Sequence, residues 1–290
     1  MTTMIPLRVA VTGASGFVGK HVLAQLSRHL LKTVAITRNA TRLSNSADGV
    51  TIIEMDIAHP ASDCFAQLGC PDVLIHLAWD GLPNYRSLHH FESELPRQYH
   101  FLKTMIEAGL PSLLITGTCF EYGIQSGSLS EDLPTRPATP YGYAKDALRR
   151  QLEFLQEVHP FVFTWARLFY MYGEGQSKNS LYPLLKKAVA RGDQAFKMSC
   201  GEQLRDYLPI GEVARLIVLL ALHNRDTGVI NVCSGKSVSI HRLVEQWMEE
   251  NGWDIELNLG YYPYPDYEPM AFWGNRFRLD RFLNDIKDKE

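Results

Sequence analysis

The residues best suited to chemistry in this sequence are Tyr141 and Lys145, which stand in the pattern Tyr-x-x-x-Lys. Side chains four positions apart on a helix lie on one face, so the phenol and the ammonium come within reach of each other. A nearby cation lowers the pKa of a tyrosine from its ordinary value of about 10. Such a tyrosine can exchange a proton with a carbonyl or carbinol oxygen. The same pattern also begins at Tyr99 and at Tyr182, so spacing alone does not single out this pair.

A second group of residues is suited to holding phosphate. The apolar run 7–12 is predicted to be a strand, and it leads into a turn of small residues before a helix: Gly13, Ala14, Ser15, Gly16, Phe17, Val18 and Gly19. A glycine-rich turn at such a junction lets backbone amides approach a pyrophosphate, and the helix N-terminus adds partial positive charge. The spacing Gly-x-x-Gly-x-x-Gly departs from the usual dinucleotide pattern, and tight strand–helix packing would also explain it. Its place at the first strand–helix junction favours a dinucleotide cofactor.

The end of the second predicted strand indicates which dinucleotide binds. An NAD site places an acid there for the ribose 2′-hydroxyl, whereas an NADP site places a basic group for the 2′-phosphate. Here Arg38 ends the strand, Arg42 follows, and no acid is adjacent in sequence. A guanidinium suits phosphate oxygens, although a surface arginine is the plainer alternative. We therefore predict NADP, with NADPH as the reductant.

Further cofactor contacts are expected where other strands end, because open α/β sheets bind ligands at the carboxyl ends of their strands. Asp56 ends the third predicted strand, where its carboxylate could accept the adenine amino group. Backbone after the fourth strand would pass under the cofactor. The predicted contacts in these regions are Asp56, Ile57, Leu77, Ala78, Trp79 and Thr116, together with Tyr141 and Lys145.

These groups need a scaffold that brings strand ends together. Short apolar runs alternate with amphipathic stretches, which is typical of a parallel sheet with crossover helices. The predicted strands cover residues 7–12, 33–37, 50–56, 72–77, 112–116, 161–167 and 229–232, and the predicted helices cover 16–30, 95–107, 142–158, 181–191, 211–223 and 240–251. We predict an α/β Rossmann-type doubly wound sheet over residues 1–168. A smaller C-terminal α/β substrate lobe over residues 169–290 is expected to interleave with it.

Composition excludes several classes of protein. The chain has 290 residues and a formal net charge of -3, which argues against a nucleic-acid binder. No apolar run approaches the roughly 20 residues of a membrane span, and no charged leader precedes the first strand. Five cysteines without a Cys-x-x-Cys pattern indicate free thiols, so we expect a cytoplasmic protein. The pair His89 and His90 is predicted to be solvated in a loop, and no metal site is predicted.

Residues 12–19, Asp56, 76–78, 116–123, 141–145 and 204–210 together resemble an extended short-chain dehydrogenase/reductase acting on nucleotide sugars. The resemblance selects Tyr141, because the catalytic tyrosine follows the fifth strand after a Thr-Pro entry. It implies that Thr118 completes the catalytic set and that Lys145 also holds the nicotinamide ribose. A local backbone cap is the alternative role for Thr118.

The resemblance also implies substrate contacts. Arg205 matches a position that contacts a sugar-nucleotide phosphate, although an Arg–Asp surface pair is the alternative. Tyr170 stands where an asparagine contact is common, and Cys119 follows the catalytic threonine. The helices at 95–107 and 142–158 resemble those that form homodimer interfaces.

The expected chemistry is hydride transfer. A 4,6-dehydratase of this family carries an Asp-Glu pair after the catalytic threonine, where this chain has Cys119 and Phe120. A 4-epimerase retains NAD, which Arg38 disfavours. By the resemblance of residues 167–176 and 261–274 to bacterial deoxysugar reductases, we expect an NADPH-dependent 4-ketoreductase of O-antigen (lipopolysaccharide) biosynthesis. The specific expectation is reduction of dTDP-4-dehydro-6-deoxy-D-glucose to dTDP-D-fucose. A nucleotide-sugar 4-epimerase, a CDP-4-keto-dideoxyhexose reductase of the CDP-abequose synthase type and a non-catalytic NADP-binding sensor stay open.

Overall fold

A sheet of seven parallel strands forms the centre of the protein. The computed structural model describes residues 6–43 and 49–288. The strands of the sheet are β1 (Arg8–Thr12), β2 (Lys32–Thr37), β3 (Val50–Glu54), β4 (Val73–His76), β5 (Ser112–Thr118), β6 (Val162–Leu168) and β7 (Gly228–Val232). Their order in space is β7-β6-β5-β4-β1-β2-β3, and every neighbouring pair is parallel. The predicted Rossmann-type α/β fold is therefore confirmed.

Helices cover both faces of this sheet, because its strands are apolar on both sides. The helices are α1 (Phe17–Leu26), α2 (Cys64–Gln67), α3 (Leu95–Glu107), α4 (Pro140–Val158), α5 (Leu181–Arg191), α6 (Ile210–Leu222), α7 (Ile240–Asn251) and α8 (Phe277–Lys287). One core cluster joins the sheet to α1, α6 and α8. The other joins it to α2, α3 and α4. Burial on both faces explains the continuous apolar runs of the strands.

The order of the strands fixes where a ligand would lie. β1 pairs with β2 on one side and with β4 on the other, so the direction of winding reverses between β1 and β4. A crevice forms outside the carboxyl ends of strands at such a reversal. Thr12 ends β1 and His76 ends β4, side by side in the pairing register.

The C-terminal lobe has a core of its own. α5 and α7 enclose a cluster that includes Leu185, Phe196 and Trp247. Four short two-stranded pairs complete the fold: Ala195–Lys197 with Glu256–Asn258, Tyr170–Tyr172 with Tyr207–Pro209, Leu204–Arg205 with Val238–Ser239, and Gly127–Leu129 with Phe272–Gly274. β7, α6 and α8 come after residue 168 but pack with the main sheet. Residues 1–5, 44–48 and 289–290 of the predicted domains lie outside the described ranges.

Several predicted boundaries were wrong. α1 ends at Leu26 and turns through Ser27, whereas the prediction ran to residue 30. β3 ends at Glu54, so Asp56 lies in the following loop, and β5 continues to Thr118. α8 was not predicted, because the aromatic tail before it obscured the helical pattern. No helix in the described part of the chain has the length and apolar character needed to span a membrane.

Candidate active site

Two glycines of the turn, Gly13 and Gly19, are required by close packing, and the middle one, Gly16, leaves open space. Gly13 has a φ of +65°, and a Cβ there would lie 2.8 Å from the backbone nitrogen of Ala78. A Cβ at Gly19 would overlap the carbonyl oxygen of Gly13. At Gly16 the one close neighbour within 4 Å is that same oxygen, at 3.1 Å, and this residue lines the crevice. The first and third glycines therefore bring α1 against the sheet, while the second keeps the crevice open at the helix N-terminus.

A buried chain of polar side chains supports the floor of the crevice. His76 Nδ1 accepts from Thr12 Oγ1 at 2.9 Å, and its Nε2 donates to Gln98 Oε1 at 2.6 Å. Gln98 donates in turn to Glu94 at 2.5 Å, and Glu94 accepts the backbone N–H of Asp80 at 2.9 Å. Burial, reinforced by the charge of Lys145, lowers the pKa of His76 to about 3, so its ring is neutral. This hydrogen-bonded chain fixes the loop after β4. Thr12 and His76 stood in predicted motifs, whereas Gln98 and Glu94 did not.

The crevice has two connected ends. One cavity of about 250 Å³ lies beside β2 and the loop after β3, and a second of about 430 Å³ lies beside β5 and α4. Both are lined by Gly13, Gly16, Leu77 and Trp79, so they form one elongated space. Of the predicted cofactor residues, Ala14 alone is fully buried away from both cavities.

Arg38, Asp56 and Ile57 all line the first cavity. Arg38 is largely exposed, and its guanidinium lies 3.6 Å from the carboxylate of Asp80. The backbone N–H of Ala58 and the ring of His59 hold the pKa of Asp56 below its ordinary value. The sequence argument found no acid near Arg38, because Asp80 comes from a different strand end.

Thr118, Tyr141 and Lys145 meet in the second cavity. Thr118 Oγ1 accepts the backbone N–H of Phe120 at 3.3 Å, and its hydroxyl is close enough to the Tyr141 phenol to lower the pKa of that phenol. The threonine therefore caps the local backbone and also lies beside Tyr141, and its catalytic role stays a prediction. Tyr141 lies in the first turn of α4, where the Thr139 hydroxyl caps the helix by accepting the Gly142 N–H at 3.1 Å.

The backbone of Thr118 is held by a group that the sequence analysis missed. Glu121 Oε1 accepts the N–H of Thr118 at 2.7 Å. The same carboxylate is fully buried, accepts the indole N–H of Trp165 at 3.0 Å and forms an ion pair with Arg167 at 2.8 Å. The signal available in the sequence was the Thr-x-x-Glu spacing of a capping box.

The expectation that Lys145 lowers the pKa of Tyr141 was wrong for this structure. Burial of the phenol raises its pKa well above 10, and the hydrogen bond from Thr118 offsets this only in part. The Lys145 ammonium instead donates to the Thr116 carbonyl at 2.9 Å and lies 4.0 Å from the centre of the Trp79 ring. Burial lowers the pKa of Lys145 to about 7.

The prediction of a solvated His89–His90 loop pair was also wrong. His90 is fully buried in a helical turn that precedes α3. Its Nδ1 accepts the indole N–H of Trp79 at 3.1 Å, and its Nε2 donates to the carbonyl of Asn84 at 2.8 Å. Its ring lies 5.3 Å from that of Tyr141. Adjacent histidines on a helix face different surroundings, which the sequence pattern did not reveal.

Of the predicted substrate contacts, Cys119 and Tyr170 line the second cavity but Arg205 does not. Arg205 is buried, and it is paired at 2.8 Å with Glu268 from the aromatic tail. The alternative of an Arg–Asp surface pair was wrong too, because Asp206 is buried and accepts backbone N–H groups at residues 234, 235 and 274. The Tyr170 hydroxyl is buried with no hydrogen-bond partner within residues 6–43 and 49–288.

The other two Tyr-x-x-x-Lys matches have ordinary structural surroundings. Tyr99 packs against the core between α3 and the sheet, and its partner Lys103 pairs with Glu107 on the helix surface. Tyr182 packs against Trp247 in the C-terminal lobe.

A doubly wound sheet with a glycine turn at its first strand–helix junction and a hydroxyl–phenol–lysine cluster is the arrangement expected of a dinucleotide-dependent enzyme. Consistent with this, the model of the NAD dependent epimerase/dehydratase family matches residues 9–233. The chain belongs to this family, which confirms the resemblance to extended short-chain dehydrogenases/reductases at the family level.

Individual relatives share less than 30% of their residues with this chain. The dTDP-6-deoxy-L-talose 4-dehydrogenase (NAD(+)) of Aggregatibacter actinomycetemcomitans is 28% identical over 270 residues, covering 92% of this chain and 99% of that protein. The CDP-abequose synthase of Salmonella typhimurium is 26% identical over 233 residues, covering 77% and 72%. The structure of UDP-N-acetylglucosamine 4-epimerase from Methanobrevibacter ruminantium M1, in complex with UDP-N-acetylmuramic acid, matches with a TM-score of 0.84. That match has 24% identity, covers 96% of this chain and 92% of the other, and shows the fold alone.

The crevice fits the nicotinamide dinucleotide that the family description implies. A Cβ at Gly16 would project into the crevice at the N-terminus of α1, which is where a pyrophosphate is favoured by the helix dipole. The first cavity lies beside Arg38 and Asp56, and the second places Tyr141 and Lys145 at the other end of the same crevice.

Proposed function

We propose that this protein reduces the 4-keto group of a nucleotide-linked 4-keto-6-deoxyhexose with NADPH. The observation that carries the proposal is that Thr118, Tyr141 and Lys145 line one cavity, which also reaches the glycine turn at Gly13 and Gly16. The name of the dTDP-6-deoxy-L-talose relative places a dehydrogenation at position 4 of a dTDP-linked 6-deoxy sugar. The reverse of such a dehydrogenation is the reduction of a 4-ketone.

The two hydroxyls divide the proton chemistry between them. When bound, the nicotinamide supplies a hydride to the carbonyl carbon. The raised pKa of Tyr141 keeps its phenol protonated at neutral pH, so it holds the proton that the carbonyl oxygen needs. Thr118 accepts the Phe120 N–H with one lone pair, and we propose that its own hydrogen turns from the Tyr141 phenol to the same carbonyl oxygen when the substrate binds. Lys145 lines the same cavity, and we propose that it binds the nicotinamide ribose, as the family resemblance implies.

The proposed preference for NADP rests on Arg38. Its guanidinium is exposed at the adenosine end of the crevice, and its partner there is Asp80 at 3.6 Å, a long and solvated ion pair. A ribose 2′-phosphate could replace that carboxylate at little cost. Since the 28% relative is named for NAD(+), the two cofactors must be compared directly. We expect a KM for NADPH at least tenfold below that for NADH, and a lower KM for NADH would contradict the assignment.

Elimination chemistry is disfavoured by the residues that follow Thr118. Burial raises the pKa of the Cys119 thiol far above 9, so it stays protonated, and Phe120 has no ionisable group. Neither residue supplies the acid and base of a 4,6-dehydratase. A 4-epimerase would use the same hydroxyls, but it would return the hydride to the sugar and consume no cofactor.

We also propose a cellular location and an oligomeric state for the enzyme. We expect a cytoplasmic homodimer formed through α3 and α4, because α4 leaves Tyr143, Phe154 and Val158 exposed. Sedimentation at micromolar concentration should give twice the mass of the chain, and a monomer mass would count against this arrangement.

The test of the proposed function is a panel of 4-keto sugar nucleotides incubated with the purified protein and NADPH. We expect oxidation of one NADPH per sugar with dTDP-4-dehydro-6-deoxy-D-glucose, giving dTDP-D-fucose. Preference for a CDP-linked 4-keto-dideoxyhexose would move the assignment towards the CDP-abequose synthase relative. Oxidation with no member of the panel, or exchange of 4-epimers without net oxidation, would reject the reductase. Tight NADP binding without turnover on any sugar nucleotide would instead favour the sensor.

A further inference from the structure

We propose that Trp79 is a positioning residue for Lys145, because its indole face holds the ammonium against the carbonyl of Thr116. This role rests on the proposed function, in which Lys145 belongs to the catalytic set. The contact itself does not depend on which sugar is the substrate. Trp79 stands in the wall that both ends of the crevice share.

Lys145 is held by two contacts of different kinds. Its Nζ donates a hydrogen bond to the Thr116 carbonyl at 2.9 Å. It also lies 4.0 Å from the centre of the Trp79 ring, well inside the range of about 6 Å over which an aromatic face attracts a cation. Among the described residues Lys145 has no ion pair, so the indole takes the place that a carboxylate often occupies beside a buried ammonium.

The indole is itself fixed in orientation. Its N–H donates to His90 Nδ1 at 3.1 Å, and the planes of the two rings are inclined by 27°. His90 Nε2 donates to the Asn84 carbonyl at 2.8 Å, which leaves Nδ1 as the acceptor. Burial lowers the pKa of His90, so its ring keeps this neutral form. The edge of Trp79 also contacts Tyr141, with ring centres 6.0 Å apart.

Charged and titratable groups face Lys145 from several sides. His76 lies at the end of β4, His90 and Glu94 lie before α3, Glu121 lies after β5, and Tyr141 lies on the same helix. The two carboxylates favour the ammonium and burial disfavours it, leaving a pKa of about 7. Because the amine is close to its midpoint at neutral pH, a modest preference of the indole for the ammonium changes how much of Lys145 is charged.

Stepwise fluorination of tryptophan tests the contact with little change in shape. Fluorine withdraws electron density from the ring face, so each added fluorine weakens its attraction for a cation. The protein would be labelled with ¹⁵N-lysine and with tryptophan carrying increasing numbers of fluorines, and the Lys145 signal would be assigned with Lys145→Met. We expect the pKa of Lys145 in NMR titration to fall progressively, by about half to one unit over the series.

The control replaces the Trp79 indole with a ring that cannot be fluorinated by this labelling, and it keeps the other four tryptophans. In a Trp79→Phe background, the same fluorinated tryptophans should leave the pKa of Lys145 unchanged. A constant pKa across the series with Trp79 present would overturn the proposal, as would an equal fall in the Trp79→Phe background. Neither measurement uses a sugar, so failure of the proposed function would leave this result intact.

Discussion

Two buried arginine–glutamate pairs lie near Cys119, beside the cavity that holds Tyr141, and their settings differ. Arg167 and Glu121 are 2.8 Å apart, with side chains 2% and 0% exposed, and they join β6 to the turn after β5. Arg205 and Glu268 are also 2.8 Å apart, with 2% and 12% exposed, but Glu268 comes from the irregular tail. Each arginine also lies over an aromatic ring, that of Tyr122 or Phe272.

The difference indicates different roles. Glu121 also accepts the backbone N–H of Thr118 and the indole N–H of Trp165, so several groups would be left unpaired if it moved. Glu268 offers its carboxylate to Arg205 from a loop, and Arg205 is its one hydrogen-bond partner among the described residues, so fewer groups would be left unpaired if it moved. We therefore interpret the first pair as a fixed support for catalysis and the second as a contact that a substrate phosphate would replace.

The largest effect is expected at Tyr141, which lies beside Thr118 and the Glu121 that supports it. Tyr141→Phe removes the phenolic proton, so turnover should fall by about 10³-fold, a typical loss for a missing general acid. Cofactor affinity, measured by fluorescence titration, should stay near that of the wild type because the crevice is otherwise intact. A turnover rate close to wild type would show that the proton comes from another group.

The second largest effect is expected at the buried pair of Glu121 and Arg167. Glu121→Gln leaves the Arg167 charge buried without its partner, which should lower the free energy of unfolding by about 3 kcal/mol in urea denaturation. Glu174→Gln is the matched control, because Glu174 forms an exposed pair with Lys186 and its loss should cost less than about 1 kcal/mol. Equal losses in the two variants would show that the buried pair is no more rigid a support than a surface one.

Buried His76, below the crevice, should also make the free energy of unfolding depend on pH. His76 has a pKa of about 3 when folded and about 6.5 when unfolded, so between these values the unfolded chain binds more protons. Stability is therefore fully present above pH 6.5 and is lost as pH falls, by about 2 kcal/mol between pH 8 and pH 5. His76→Asn removes the titrating group, and its stability should fall less over that range. Parallel curves for variant and wild type would contradict a buried neutral His76.

The smallest expected effect tests the exchangeable pair. Glu268→Gln removes the competing carboxylate, so the KM for the nucleotide sugar should fall a few-fold while kcat changes little. Its cost in stability should be below that of Glu121→Gln, because Arg205 keeps its hydrogen bonds to the carbonyls of Leu204 and Met270. A rise in KM would instead make Glu268 a substrate contact, and the comparison between the two pairs would then fail.

Local patterns were sufficient to predict the strands of the sheet, the glycine turn and the proximity of Tyr141 to Lys145. Each of these depends on residues close in sequence, at a strand end or in one turn of a helix. The choice of Tyr141 among three equal matches, and its meeting with Thr118, came instead from the resemblance to a known family. The partners that came from distant segments could not be predicted in this way. Asp80 beside Arg38 and Glu268 beside Arg205 are separated from their partners by 42 and 63 positions.

The electrostatic expectation for Tyr141 failed for a related reason. Spacing along the helix shows that the lysine is near, but it does not show how deeply the phenol is buried or where the ammonium is directed. Burial raises the tyrosine pKa, while the Thr116 carbonyl and the Trp79 ring hold the ammonium. Both facts depend on β5 and on the loop after β4, which approach α4 only in the folded sheet.

The most direct test of the proposed reduction follows the hydride. The purified enzyme would be given dTDP-4-dehydro-6-deoxy-D-glucose and NADPH carrying deuterium at the transferable position of the nicotinamide. We predict one deuterium at carbon 4 of the released sugar for each NADPH oxidised, detected by mass spectrometry and NMR. NADPH oxidation without deuterium at that carbon, or exchange between 4-epimers with no NADPH consumed, would contradict the account.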